Sequence, residues 1–163
     1  KKKIKEMIKN NFWNICFIFS IFIIDRISKI AIINSTEKFG EKNIEVNSFL
    51  NLNLIWNDGI AFGLFSFNDK IYYNILTIII ILITLIILWM ITKTAKFEKI
   101  AFIMIFGGSI GNIFDRLYYS SVPDFIDFHI NNFHWFIFNV ADIFITIGVL
   151  LLIYLEIFIK KKV

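Results

Sequence analysis

The chain has 163 residues, of which 58% are hydrophobic and 20 are phenylalanine. That apolar content, gathered in long runs, excludes an ordinary soluble domain and places the protein in the membrane class, with room for one domain over 1–163. The net charge of +4 does not indicate a nucleic-acid partner, because the lysines cluster at the ends of apolar runs and read as topology signals. The single cysteine, Cys16, lies inside such a run and is expected to act as a small buried hydrophobe.

Lys1-Lys2-Lys3-Ile4-Lys5 precede an apolar run from Phe12 to Ile24, a pattern shared with signal peptides. No small-residue cleavage site follows. Asp25-Arg26-Ile27-Ser28-Lys29 and more apolar residues do, so an uncleaved spanning helix is expected over 12–33. In the next segment Ile44, Val46, Leu50, Leu52 and Leu54 alternate with Glu45, Asn51 and Asn53, with a break near Ser48. A period of two predicts a short strand or hairpin. It ends in Trp56-Asn57-Asp58-Gly59-Ile60-Ala61-Phe62-Gly63, where Asn, Asp and Gly favour a tight turn. Further spanning helices are predicted at 71–92, 97–117 and 139–159. The expected fold is an all-α polytopic membrane protein of four helices. Loops occupy 34–70 and 118–138, and the small β-rich segment lies between helices 1 and 2.

The N-terminal lysines, the Lys93/Lys96/Lys99 loop and Lys160 to Lys162 share one side if four helices alternate. The positive-inside rule makes that side cytoplasmic, with both termini inside and the two loops outside. Trp13 and Trp89 then fall at cytoplasmic ends, and Trp56 and Trp135 near outer ends, as interfacial anchors. At about 1.5 Å rise per residue, Asp25, Asn112, Asp115, Arg116, Asn139 and Asp142 occupy one layer in the outer third of the membrane. Asp124 hangs just above it. A carboxylate near hydrocarbon is costly and marks function by default. The inner halves of the helices carry no ionisable residue until Glu156, which argues against a transport or channel subunit, since an ion path needs polar groups at every depth. A lipid-modifying transferase would want metal and phosphate-binding clusters that the sequence lacks.

Local spacing pairs Asn112 with Asp115 and Arg116, and Asp25 with Lys29. Gly107 and Gly111 make a small-xxx-small pattern that permits close helix approach. Asn139 is placed to cap helix 4, with Asp142 at the third position and near the positive end of the helix dipole. Gly107-Gly108-Ser109-Ile110-Gly111 matches a G-x-S-x-G nucleophile pattern, but it lies inside a spanning helix and no histidine has reason to reach Ser109. His129 and His134 lack metal-ligand spacing, so no metal or other cofactor is expected. What remains is a pair of carboxylates in a partly dry site, one protonated and one charged, able to hydrolyse a peptide bond. These considerations leave Asp115, Asp124 and Asp127 open as partners for Asp142.

Four ordered motifs resemble bacterial lipoprotein signal peptidase, or signal peptidase II. They are Asp25-Arg26-Ile27-Ser28-Lys29, Asn57-Asp58-Gly59-Ile60-Ala61-Phe62, Gly107 to Arg116 with Val122 to Phe125, and Phe138 to Asp142. The resemblance implies that Asp124 and Asp142 are the catalytic aspartates of an intramembrane aspartyl endopeptidase. It assigns Asp25, Asn57, Gly59, Asn112, Arg116 and Asn139 to substrate binding or support, with Asp115 and Lys29 as structural polar residues. Implied substrates are prolipoproteins bearing a diacylglyceryl cysteine, cut just before that cysteine at the outer face of the bacterial plasma membrane. Membrane lipids are the other expected partners, and the protein is expected to be a monomer. Arg26, Asp58, Ile60 and Pro123 depart from the family pattern, and Pro123 fixes its own φ beside the catalytic acid.

Overall fold

The computed structural model describes residues 2–40, 43–59, 70–131 and 133–159. Residues 60–69, which include the turn residues Ile60 to Gly63, lie outside the described residues.

Helix α1 (Lys2–Phe39) continues past the 12–33 span into the segment expected as loop. Nothing from Asn34 to Phe39 breaks a helix, and Thr36 Oγ1 donates back to the Ile32 carbonyl at 3.0 Å. The helix stops at Gly40, whose φ of 69° and N–H to the Thr36 carbonyl at 2.9 Å form a left-handed cap. Strands β1 (Asn43–Asn47) and β2 (Leu50–Asn57) are the hairpin predicted from the period of two, and they pair antiparallel. Their break near Ser48 is an Asx turn in which Asn47 Oδ1 accepts from the Phe49 N–H at 2.9 Å.

Helices α2 (Lys70–Lys93) and α3 (Lys96–Tyr119) match the predicted spans to within two residues at each end. The 118–138 region, expected as a plain loop, is a second hairpin. Strands β3 (Val122–Ile130) and β4 (Phe133–Phe138) turn at Asn131, whose φ is 53°. All four strands join in one antiparallel sheet, β1-β2-β3-β4. The β2–β3 pairing satisfies backbone groups that two separate hairpins would leave exposed at their edges. Helix α4 (Val140–Tyr154) follows at once and runs into a π-helical turn to Ile159. Among the described residues three helical stretches, Lys70–Lys93, Lys96–Tyr119 and Val140–Ile159, are long and apolar enough to cross a membrane, and the span expected over 12–33 is not one of them. On α2, exposed Ile71, Ile78, Leu82 and Ile86 present the apolar surface that lipid requires.

Helix α3 packs against α1, α2 and α4 and forms the centre of the molecule. Its glycines make this possible. A Cβ on Gly107 would lie 3.1 Å from the Ile21 side chain, and one on Gly111 would lie 2.6 Å from Asp25 Oδ2, so the small-xxx-small pair seats α1. Gly108 serves the opposite neighbour: its Cβ would sit 2.5 Å from the Ala141 carbonyl oxygen on α4. Gly148 answers from α4, with 2.7 Å to the Ala101 carbonyl oxygen. Because a backbone carbonyl cannot swing aside, Gly108→Ala should push α3 and α4 apart and cost about 1–3 kcal/mol. A melting temperature in detergent equal to that of the unchanged protein would contradict this close approach.

Candidate active site

The polar layer has two storeys. The lower one consists of four charged side chains, all buried. Asp25, Lys29 and Asp115 have 0% exposure and Arg26 has 7%. Charges so placed persist only when paired. Lys29 uses its three ammonium protons on Asp25 Oδ2 (2.9 Å), Asn112 Oδ1 (2.9 Å) and Asp115 Oδ2 (2.7 Å). Arg26 donates to Asp25 Oδ2 at 3.0 Å and forms an ion pair with Asp115 Oδ1 at 2.5 Å, with its guanidinium 5.0 Å from the Phe114 ring centre. Two acids and two bases cancel. Asp25 Oδ1 also accepts the Ala141 N–H at 3.0 Å, which satisfies an orphan donor in the first turn of α4.

The upper storey is built on amides. Asn112, held from below by Lys29, donates through Nδ2 to Asp142 Oδ1 at 2.8 Å. Asn139 caps α4 in a reciprocal box: its Oδ1 accepts the Asp142 N–H at 3.1 Å, and its own N–H reaches Asp142 Oδ2 at 3.2 Å. The Nδ2 of the same residue donates to Asp124 Oδ1 at 2.6 Å. Asn139 therefore holds both acids. Asn57, at the end of β2, donates to Asp124 Oδ2 at 2.8 Å and accepts the Gly59 N–H at 2.8 Å. Arg116 donates to the Gly59 carbonyl, and to the Asn112 carbonyl at 3.4 Å. Its buried Nε has no hydrogen-bond partner among the described residues. Asn57, Asn112, Arg116, Val122, Asp124, Asn139 and Asp142 line one small cleft.

Burial raises the Asp124 carboxyl to about 6, and the charge of Asp142 adds to the shift, while hydrogen bonds from Asn57 and Asn139 oppose it. An acid in that range can hold a proton near neutral pH and still release it in a reaction. Beside the cleft an apolar groove of about 280 Å³ starts at Asp142 and is lined by Phe136, Phe138, Ile143, Ile145, Thr146 and Ile147.

Every residue assigned to the site from sequence lies in this two-storey cluster. The three partners left open for Asp142 are separated by the fold. Asp115 is ion-paired to Lys29 and Arg26. Asp127 is engaged by His134 Nδ1 at 2.9 Å on the sheet. Asp124 alone of the three lines the cleft with Asp142. Ser109 is buried within α3, in the helical setting expected for a packing residue. Cys16 is half-buried. Two contributors were missed. Arg26 was noted only as a departure from the family, although an arginine inside an apolar run must find an acid. The Ala141 N–H had no sequence signal, since it depends on where α1 meets α4.

A model of the family described as signal peptidase (SPase) II matches residues 17–158. A lipoprotein signal peptidase of Pelagibacter ubique (strain HTCC1062) is 48% identical over 158 residues, covering 97% of this chain and 95% of the relative. One from Francisella tularensis subsp. novicida (strain U112) is 40% identical over 126 residues, covering 74% and 78%. A solved "Bacterial membrane enzyme structure by the in meso method at 1.9 A resolution" superposes with a TM-score of 0.73 at 33% identity, covering 90% of this chain and 93% of that one. Motif, length and fold thus agree along nearly the whole molecule, and the chain belongs to the signal peptidase II family.

Proposed function

We propose that the protein removes the signal peptide from diacylglyceryl-modified prolipoproteins, cutting just before the lipidated cysteine, with Asp124 and Asp142 as an aspartyl catalytic pair. One observation carries the assignment of the pair. These two acids line a single cleft and are held by amides, with no ammonium or guanidinium bonded to either among the described residues. A carboxylate tied up by a cation is a poor base, whereas one held by amides keeps its basicity and its aim. A transport role has no support in the family match.

The pair shares one proton, and in this scheme Asp124, pushed up to about 6, serves as the acid and Asp142 as the base. Asp142 takes a proton from water as the water oxygen attacks the carbonyl carbon. Asp124 gives its proton to the carbonyl oxygen. Collapse of the tetrahedral intermediate breaks the C–N bond, with a proton passed to the leaving amine of the cysteine. Arg116 offers its Nε, which has no partner among the described residues, to a carbonyl of the bound peptide. The apolar groove at Asp142 has the chemistry to take an acyl chain, where each buried CH₂ contributes about 0.8 kcal/mol. Four spans with both termini cytoplasmic put the cleft near the outer face of the bacterial plasma membrane. Each site residue comes from one chain, so a monomer suffices.

Asp124→Asn and Asp142→Asn should each lower turnover of a lipidated prolipoprotein by roughly 10²- to 10⁴-fold or more, with membrane insertion intact. Ser109→Ala should leave it nearly unchanged. Near-normal turnover in either Asn variant would sink the pair.

The pH profile of kcat/KM should be bell-shaped. Acid protonates the charged member and removes the base. Raising the pH through about 6 strips the shared proton and removes the acid. A flat profile between about pH 4 and about pH 8 would contradict proton sharing.

An unlipidated precursor should be cut far more slowly than the lipidated one, because its scissile bond is not held at the level of the cleft. Equal rates in detergent micelles would show that the acyl chains do not position the bond.

A further inference from the structure

The outer hairpin carries donor atoms that peptide hydrolysis does not use. Asp127 and His129 stand two apart on β3 and so share one face of the strand. His134 lies opposite His129 across the β3–β4 register. The two imidazoles stack with centres 5.0 Å apart and planes at 21°. The Asp127 carboxylate accepts from His134 Nδ1, with its two oxygens at 3.0 and 2.9 Å. One nitrogen of each ring and one oxygen of Asp127 all lie within 4.8 Å of one another. The histidines stand five positions apart in sequence, a spacing that carried no metal signal by itself; a hairpin brings them together.

We propose that Asp127, His129 and His134 bind one divalent transition-metal ion of the zinc type. Two imidazoles and a carboxylate are the donor set such an ion prefers, whereas magnesium and calcium prefer oxygen alone. A hydrogen bond between Asp127 and His134 would by itself explain that pair. It leaves His129 Nδ1 buried and without a partner among the described residues, an arrangement that wants a cation or a donor. Zinc bonds of about 2.0–2.2 Å place ligand atoms roughly 3.3–3.6 Å apart, so the three groups must close by about an ångström. His134 has a side chain that is 54% exposed and can turn inward, while Asp127 is fixed at 3%. A polar cleft lined by Glu45, Asn47, Ser48, Asn51 and His129 opens beside the group and leaves a fourth position to water.

This site is separate from the peptidase pair. Asp124 precedes Asp127 by three positions on β3, so the two point to opposite faces of the strand. A bound ion would pin β4 to the strand that carries Asp124 and thereby stiffen the hairpin without touching the substrate.

The test uses the full-length protein without a histidine tag, stripped with chelator in detergent and then exchanged into chelator-free buffer. Zn²⁺ titrated by calorimetry should bind at one equivalent, and Co²⁺ should give the visible bands of a tetrahedral site. His134→Ala, at an exposed position that should not disturb folding, and His129→Ala should each weaken Zn²⁺ binding by roughly tenfold or more. Zn²⁺ should raise the melting temperature of the unchanged protein and not of His134→Ala. No uptake by the unchanged protein, or undiminished uptake by His129→Ala and His134→Ala, would overturn the proposal.

Discussion

The ammonium of Lys29 ties the structure together. It is buried with no exposed surface and directs its three protons to Asp25 on its own helix and to Asn112 and Asp115 on α3. A lysine at that depth is tolerable only with every proton satisfied, so α1 and α3 have one relative register in which the charge is met. Removing one partner from such a group typically costs about 3–5 kcal/mol, because the remaining charge is stranded. The glycines follow from the same demand. Gly111 leaves room for Asp25 to sit against α3, with a missing Cβ that would fall 2.6 Å from its carboxylate.

From this base the order is passed upward through hydrogen bonds rather than charge. Asn112 accepts a hydrogen bond from Lys29 on one side and donates one to Asp142 on the other. Asn139 then spans both acids of the cleft, one through its side chain and one through its backbone. Storeys of different kinds have different uses. The lower acids are neutralised by cations and hold helices together. The upper acids are held by neutral amides, and Asp124 keeps a carboxyl raised to about 6. Arg26 belongs to the lower storey, where it contacts Asp25, Asp115 and the Phe114 ring.

The outer sheet adds what the helices cannot. Asn57 reaches Asp124 only because β2 pairs with β3, with Asn57 opposite Val122 and Ile55 opposite Asp124. Pro123 fits this strand because its partner in register is Trp56 and its fixed φ suits extended backbone. The cleft is therefore closed by residues from both outer segments, and its acids sit at the seam between sheet and helix α4.

Much of this was legible in the residues themselves. Apolar runs of about twenty residues read as helices long enough to span a bilayer, and the alternation from Ile44 to Leu54 reads as a strand with one apolar face. Depth along a helix follows from a fixed rise, so Asp25, Asn112, Asp115, Arg116 and Asp142 could be placed in one layer without knowing how the helices pack. The β3–β4 hairpin was not legible, because its exposed Phe128, Ile130, Phe133 and Trp135 hide the alternation under apolar residues on the outer face. Nor could sequence choose among Asp115, Asp124 and Asp127 on physical grounds alone. A side chain's level is a one-dimensional property that the chain carries with it. Its partner is decided by rotation about the helix axis and by strand register, and those exist only once Lys29, the glycine seams and the joined hairpins have fixed the elements against one another.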